Sequence, residues 1–551
     1  MLAAAVMLSR NHADPDFWGH VQYGRDVLEK GLPLTATYTY TAVHFPWINH
    51  ENLAELFFAW TVDRIGVPFL LGLKAASGAA LAALLWWRLR KAGLSLSAAT
   101  VVLLGGLANV MFFWTLRPQW FSLIFFAVLL ALLDDDYERL GRHHGNHPPP
   151  PRPTPLLRKL LWGAPWLFAV WANTHGGFVL GLAVLAAYLG LSSLERLWRE
   201  RLAALPWIGR AATVVVLCAA ATLVNPYGWR LHTWLVYSLG NPRPEIAEWH
   251  PPRLFDPVFV PWWSFLAFAV LVGVATLHRR SWVRTVLLVL FAWQALEHLR
   301  HIPFFALAFL WWCGPDVAYL LAGLRRWARR NRPSCDSAIR PPWWLWAASG
   351  AVACLLAGLL VTQMRAIPVS RQVWPVDALQ FMADQRLSGR VVARFNWAQY
   401  VLETFANAPV QQPVTLAVDG RFRTCYPRRV LDAYFDFAQG TDRSCRNRAP
   451  DSPPFDPTRI LRLGNPDLVL IGCDERLPCG VMRSYSDEWV LLYRDGTAEL
   501  WGRRSRYDDP KSPHYLPPQQ RKLHGPERRG HVAWPAHPVW PAASAGAVDG
   551  A

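Results

Sequence analysis

Apolar positions along this chain fall in long unbroken runs rather than in stripes. Residues 67–85, 121–133, 211–224 and 343–361 are apolar around the whole helical circumference, the pattern of helices with no face turned to water. Drawn from such runs, the predicted spans are residues 1–9, 67–87, 98–115, 119–133, 159–172, 176–193, 211–224, 261–277, 285–297, 303–323 and 343–363. Several fall short of the roughly 20 residues that cross a hydrocarbon core. The first is incomplete, since residues 1–8 cannot span. It has neither the basic start nor the small-residue cleavage site of a secretory leader, so a start codon placed too late is the expectation.

Composition agrees with the runs. The 551 residues are 53% hydrophobic and 17% charged, against about 25% charged in a soluble protein. That excludes a soluble globular protein, a disordered chain and a small disulfide scaffold. The 31 tryptophans suit membrane–water interfaces. A net charge of +17 would suggest nucleic acid in a soluble domain, but here it sits in alternate loops: Arg88, Arg90 and Lys91; Arg139 to Lys159; Arg196 to Arg210; Arg279, Arg280 and Arg284; Arg325 to Arg332. By the positive-inside rule these loops are cytoplasmic. Residues 10–66 and everything after 364 are then outside, and no nucleic-acid partner is expected. The expected organisation is a transmembrane domain over 1–364, an extracytoplasmic α/β domain over 365–502 and a disordered tail over 503–551. The proline-dense stretch 143–155, with His143, His144 and His147, reads as a flexible linker.

The outer loop at 10–66 carries a helical pattern. Asp16 stands at a helix N-cap, with Phe17, Val21, Gly24 and Leu28 at helical spacing and Gly31 and Pro33 as terminators. A second helix is expected after Asn49, with Glu51 in its first turn and Leu53, Leu56, Phe57, Trp60 and Ile65 on an apolar face. Asp14 and Asp16 are carboxylates at a membrane surface, where charge is costly to desolvate. Either they cap and hydrate, or they serve as a general base or metal ligand.

Other candidates lie at predicted outer span ends. Arg117, Arg300 and His301 could hold a phosphate, because a guanidinium is always charged and donates two parallel bonds; snorkelling to headgroups is the structural alternative. His50, Glu51, Asn173 and His175 could line the same cavity, or cap turns and helices; Glu245 and Glu248 lie on the loop at 225–260, which could cover the acceptor side and bring Glu248 to the cavity, or they are surface residues. In 365–502, strands are expected at 391–395, 414–420, 468–472, 489–494 and 497–503, and helices at 397–406 and 428–437. Asp419-Gly420-Arg421 is either a ligand-binding turn or a structural one. Cys425, Cys445, Cys473 and Cys479 could form two disulfides outside the cell, with Cys473–Cys479 the first choice. There is no HExxH, phosphate-binding P-loop, GxGxxG or CxxC pattern, which argues against a zinc protease, an ATP-driven pump and a dinucleotide oxidoreductase.

The blocks DPDFWGHVQYGRDVLEKGLP, TYTYTA and PWINHENLAELFFAW resemble the first outer loop of a family of bacterial polytopic membrane proteins. The pieces LRPQWFSL, WANTHGGFVLGL, NPYGW, EIAEW, RHIPFF, FNWAQYVL, VDGRF and LLYRDGTAELW follow in matching order, so the resemblance covers most of residues 14–501. The family is described as C-type (GT-C) glycosyltransferases, similar to protein O-mannosyltransferases and lipopolysaccharide-core sugar transferases. The resemblance implies a mainly α-helical GT-C-like membrane domain with about 10–11 spans in the bacterial cytoplasmic (inner) membrane. It implies transfer of a sugar from a polyprenyl-phosphate donor, a membrane lipid, to a glycan, lipid or protein acceptor of the cell envelope. It also implies a first-loop carboxylate, here Asp14 or Asp16, as base. Cofactors are left open, with a divalent metal neither required nor excluded. The alternative is a non-catalytic membrane scaffold whose α/β domain binds glycan or a partner.

Overall fold

The computed structural model describes residues 1–134, 155–330, 342–406, 408, 412–441, 446–525, 528–535 and 538–540. The proline-dense linker with its histidines, Cys335 and Cys445 lie outside them. The chain is mainly α-helical with a small mixed sheet near its C-terminal end, and it divides into two compact units. One comprises Met1–Arg10, Pro68–Leu239 and Ile246–Arg365; the other comprises Asn11–Val67, Gly240–Glu245 and Ala366–Ala551. The outer loop folds with the α/β segment, not with the spans that flank it in sequence.

The first unit is helical. A helix stands in every predicted apolar run, and among the described residues four stretches are long and apolar enough to cross a membrane by themselves: Val67–Lys91, Phe178–Ala221, Pro257–Arg279 and Trp343–Gln363. A bent pair, Leu299–Trp312 with Gly314–Ala328, would make a fifth, and Leu96–Leu107, Pro118–Leu132 and Leu160–Ala172 are shorter apolar helices. By length and composition this is a multi-span membrane protein, and one of the four stretches, Phe178–Ala221, takes in two of the predicted runs. The single span predicted at 303–323 is broken by 64°, where Gly314-Pro315 interrupts helical hydrogen bonding. Its first half, Ile302–Trp312, is buried at every position, as a helix apolar on all sides should be. The first apolar run forms the short helix Leu2–Leu8, which packs on Trp343–Gln363.

In the second unit, the helices α1 (Phe17–Lys30) and α2 (Asn52–Arg64) form a tight pair. Gly24 makes the approach possible, since a Cβ there would collide with the backbone carbonyl of Glu55. The apolar face expected on α2 is not the one that packs against α1. Leu53, Trp60 and Ile65 are exposed, while Ala54, Glu55, Phe58, Ala59, Thr61 and Val62 are buried. Close helix contact needs small side chains, so the bulky apolar stripe is left outward.

The sheet has the order β3-β2-β4-β6-β5. Its strands are β2 (Arg390–Ala393), β3 (Thr415–Leu416), β4 (Leu468–Gly472), β5 (Trp489–Arg494) and β6 (Ala498–Arg503), and a two-stranded piece pairs β1 (Ile367–Ser370) with β7 (His531–Trp534). β2 pairs in parallel with β3 and β4, and β6 runs antiparallel to β4 and β5. The strand expected over 414–420 shrinks to two residues because the chain turns into the buried Asp419-Gly420-Arg421 corner. The tail expected to be disordered from 503 is folded over much of its length. β7 brings Trp534 edge-on to Phe17 at 5.4 Å, and its indole N–H donates to Glu403 at 3.0 Å.

Candidate functional site

The outer-loop helices carry a cluster of ionisable side chains. His20 follows Asp16 by one helical turn, and its Nδ1 lies 3.1 Å from Glu55 Oε1 across the α1/α2 contact. Asn49 donates to the other Glu55 oxygen at 2.5 Å and accepts the Glu51 N–H at 3.2 Å. His50 Nε2 sits 3.8 Å from Glu51 Oε1. Burial works against a charged imidazole at His20, but the Glu55 hydrogen bond and the charges of Glu51, Glu55 and Asp16 outweigh it and push its pKa up to about 9. His20 is thus an imidazolium at neutral pH, a fixed cation among three carboxylates.

Asp16 occupies the N-cap position of α1, yet its side chain makes no capping bond to that helix. Asp14 Oδ1 instead accepts the Asp16 N–H at 3.0 Å. The capping role, which was the structural alternative for Asp16, is therefore not the one it performs.

Of the residues expected from sequence, Asp14, Asp16, His50 and Glu51 fall in this unit. Their neighbours His20, Asn49 and Glu55 were missed. The available signal was spacing: Asp16 with His20, and Glu51 with Glu55, are polar pairs at i,i+4. The ligand atoms of His20, Glu51 and Glu55 lie within 4.8 Å of one another. One imidazole nitrogen and two carboxylates are a donor set that suits a divalent cation, so these residues fit the metal that the sequence left open.

Arg117, Asn173, His175, Glu248, Arg300 and His301 lie in the other unit. Arg117 Nη1 pairs with Glu248 at 2.7 Å. Arg300 stacks over Trp249 at 4.7 Å, whose carbonyl lies 2.8 Å from His298 Nδ1, and the His298 and His301 rings are 5.5 Å apart. The EIAEW and RHIPFF pieces thus meet. Asn173 donates to the Ala169 and Val224 carbonyls at 2.8 and 2.6 Å. His175 Nδ1 lies 2.7 Å from Ser122 Oγ and accepts the Gly177 N–H at 3.0 Å. Both do turn work.

Glu245 accepts the Asn447 N–H at 2.8 Å and lies 3.6 Å from Arg423, which fastens Gly240–Glu245 within the second unit.

Asp419 and Arg421 do not form an open ligand-binding turn. Asp419 is 0% exposed and Arg421 8%. The guanidinium grips both carboxylate oxygens at 2.7–3.2 Å and donates to Thr37 O at 2.5 Å. It lies between the rings of Tyr23 and Trp47, 4.6 and 4.7 Å from their centroids, while Tyr426 donates to Asp419 at 2.7 Å. Beside this clasp Leu416 N–H donates to Tyr38 O at 2.8 Å and Thr41 Oγ1 to Ala417 O at 2.5 Å, so loop 37–41 lies along the β3 edge and covers it.

The cysteines correct the disulfide expectation. Cys425, Cys473 and Cys479 are free thiols. Cys473 Sγ donates to Asp495 O at 3.3 Å and Cys479 Sγ to Gly472 O at 3.4 Å, so each points at its own carbonyl rather than at the other sulfur.

No protein-family model matches the chain, and no curated protein matches it. Among solved structures it is similar to the oligosaccharyltransferase of Archaeoglobus fulgidus tethered to an acceptor peptide with the NVT sequon. The identity is 10% and the TM-score 0.47, over 86% of this chain and 68% of that one. It is also similar to the archaeal oligosaccharyltransferase AglB from Archaeoglobus fulgidus in complex with an inhibitory peptide and a dolichol-phosphate. There the identity is 10% and the TM-score 0.42, over 86% of this chain and 69% of that one.

Proposed function

We propose that this chain is a GT-C-type glycosyltransferase of the bacterial cytoplasmic membrane, moving a sugar from a polyprenyl-phosphate donor to a cell-envelope acceptor on the outer face. The observation that carries the reading is the place of the Asp16 carboxylate, at the start of α1 and one helical turn from the His20–Glu55 contact. The motif resemblance around residues 14–60 supports it.

In this reading an acceptor hydroxyl gives its proton to Asp16, or to Asp14, as its oxygen attacks the sugar C1 and the lipid phosphate leaves. His20 sets a positive charge one helical turn from Asp16. Arg117, Arg300 and His301 are the proposed donor-phosphate contacts, with Glu248 and Trp249 orienting the two guanidiniums until phosphate arrives. A divalent cation held by His20, Glu51 and Glu55 would displace the His20 proton and supply positive charge beside Asp16 in its place.

The test is transfer of radiolabel from polyprenyl-phosphate sugars by the full-length protein in proteoliposomes. Asp16→Asn is expected to abolish transfer with expression and melting temperature unchanged. Wild-type rates in both Asp14→Asn and Asp16→Asn would remove the base and, with it, the enzymatic reading.

A further inference from the structure

We propose that Gln399 and Gly420, both on the α/β segment, are positioning residues for Asp16, so that this segment completes the reaction site instead of forming a separate appendage. The inference rests on the reading of Asp16 as base. Gln399 belongs to the helix α3 (Ala398–Phe405), and the aromatic contacts of the adjacent Tyr400 with Trp18 and Trp374, at 4.5 and 5.9 Å, hold that helix on α1. The Gln399 side chain is 3% exposed and enters between two glycines. A Cβ on Gly19 would collide with its amide. A Cβ on Gly420 would stand 2.7 Å from that amide and 2.6 Å from Asp16 Oδ1. Neither glycine has a left-handed backbone, so what both supply is space.

With its amide nitrogen turned toward α1, Gln399 donates to Asp16 O at 2.7 Å and lies 3.3 Å from Pro15 O. These carbonyls belong to the residues on either side of the peptide that carries the Asp16 N–H, which itself donates to Asp14 at 3.0 Å. The backbone of Asp16 is therefore held at both its N–H and its C=O, which fixes the direction in which its Cα–Cβ bond leaves. Gly420 then leaves the carboxylate its place, because Oδ1 lies 2.6 Å from where a Cβ on Gly420 would stand. Gly420 cannot retreat: the buried Asp419–Arg421 pair clamps the chain immediately before and after it. A base displaced by about 1 Å costs on the order of 100-fold in rate, and these two residues are what stand against such a displacement.

The experiment uses full-length protein with Gln399→Leu, Gln399→Glu, Gly420→Ala and the exposed control Gln372→Leu. Transfer from polyprenyl-phosphate sugars and hydrogen exchange at residues 16–20 are measured on each. Gln399→Leu and Gly420→Ala are expected to lower kcat by about 10- to 100-fold. Donor KM and melting temperature stay close to wild type, and exchange at 16–20 quickens. Gln399→Glu, which keeps the volume but adds a carboxylate beside Asp16, is expected to move the acidic limb of the pH–rate profile upward. A purely structural role would leave that limb in place.

Wild-type kcat in Gln399→Leu and Gly420→Ala, alongside an inactive Asp16→Asn, would overturn the inference while sparing the functional reading. Unchanged exchange at 16–20 would overturn it regardless of activity. An active Asp16→Asn would overturn the functional reading, and with it the catalytic purpose of the positioning; exchange at 16–20 would then decide alone whether Gln399 holds the segment.

Discussion

Replacing Arg421 by methionine removes one half of a pair that water does not reach. Asp419 is fully buried, and three of its contacts come from the Arg421 guanidinium. The variant strands a carboxylate that, among the described residues, keeps the Tyr426 hydroxyl as its side-chain partner. Breaking a buried ion pair from one side costs about 3–5 kcal/mol. For a unit of this size each kcal/mol lowers the melting temperature by about 2–4 °C, so a fall of about 6–20 °C is expected. Asp419→Asn should cost less, because the cation left behind keeps the Thr37 carbonyl and the two aromatic faces. The double variant should cost less than the sum of the singles by about 1–3 kcal/mol, the size of coupling seen between residues in direct contact. Thermal melting of the detergent-solubilised protein by tryptophan fluorescence reads all four corners of the cycle, and Trp47 reports locally because it lies on the guanidinium. A solvent-exposed ligand-binding turn would behave otherwise, losing at most about 1 kcal/mol. An Arg421→Met melt within about 2 °C of wild type would therefore refute the clasp.

Trp534→Ala should destabilise by about 3–5 kcal/mol, the range for deleting a buried tryptophan; denaturant melting checks it, and a neutral result would mean the tail does not pack on Phe17 and Glu403. Burial raises the thiol pKa of Cys425 to about 12 and those of Cys473 and Cys479 to about 11, so at pH 8 they should react slowly with maleimide and all three should be alkylated after unfolding without reductant. A Cys473–Cys479 peptide in the non-reduced digest would contradict that. Manganese at about 100 times its dissociation constant should stabilise wild type by about 2.7 kcal/mol and leave Glu55→Gln unmoved; no shift in wild type would take the cation out of the cluster.

What could be read ahead of the structure followed local rules. The periodicity after Asp16 marks a helix that forms over Phe17–Lys30, and the strands around 391, 468, 489 and 498 stand where β-branched and aromatic residues concentrate. The second outer-loop helix was also legible, but its buried face was not, since the pattern marks apolar positions and the packing selected small ones. His20 and Glu55 escaped notice because each is an ordinary polar residue until the other helix arrives. β7 was invisible in a tail rich in proline and arginine, because its partner strand lies more than 150 positions earlier.

Apolar runs by themselves determine that this chain enters a membrane, because the transfer of a helix into lipid depends on its own residues and little else. They also place carboxylates directly after the first run. Only the tertiary structure decides that the outer loop belongs with the α/β segment, that Arg421 reaches Thr37 across 384 positions, and that Asp16 rests against Gly420. The reason is physical: those outcomes depend on how closely two backbones can approach, and on which buried charge finds its counterpart, neither of which is written at any one position.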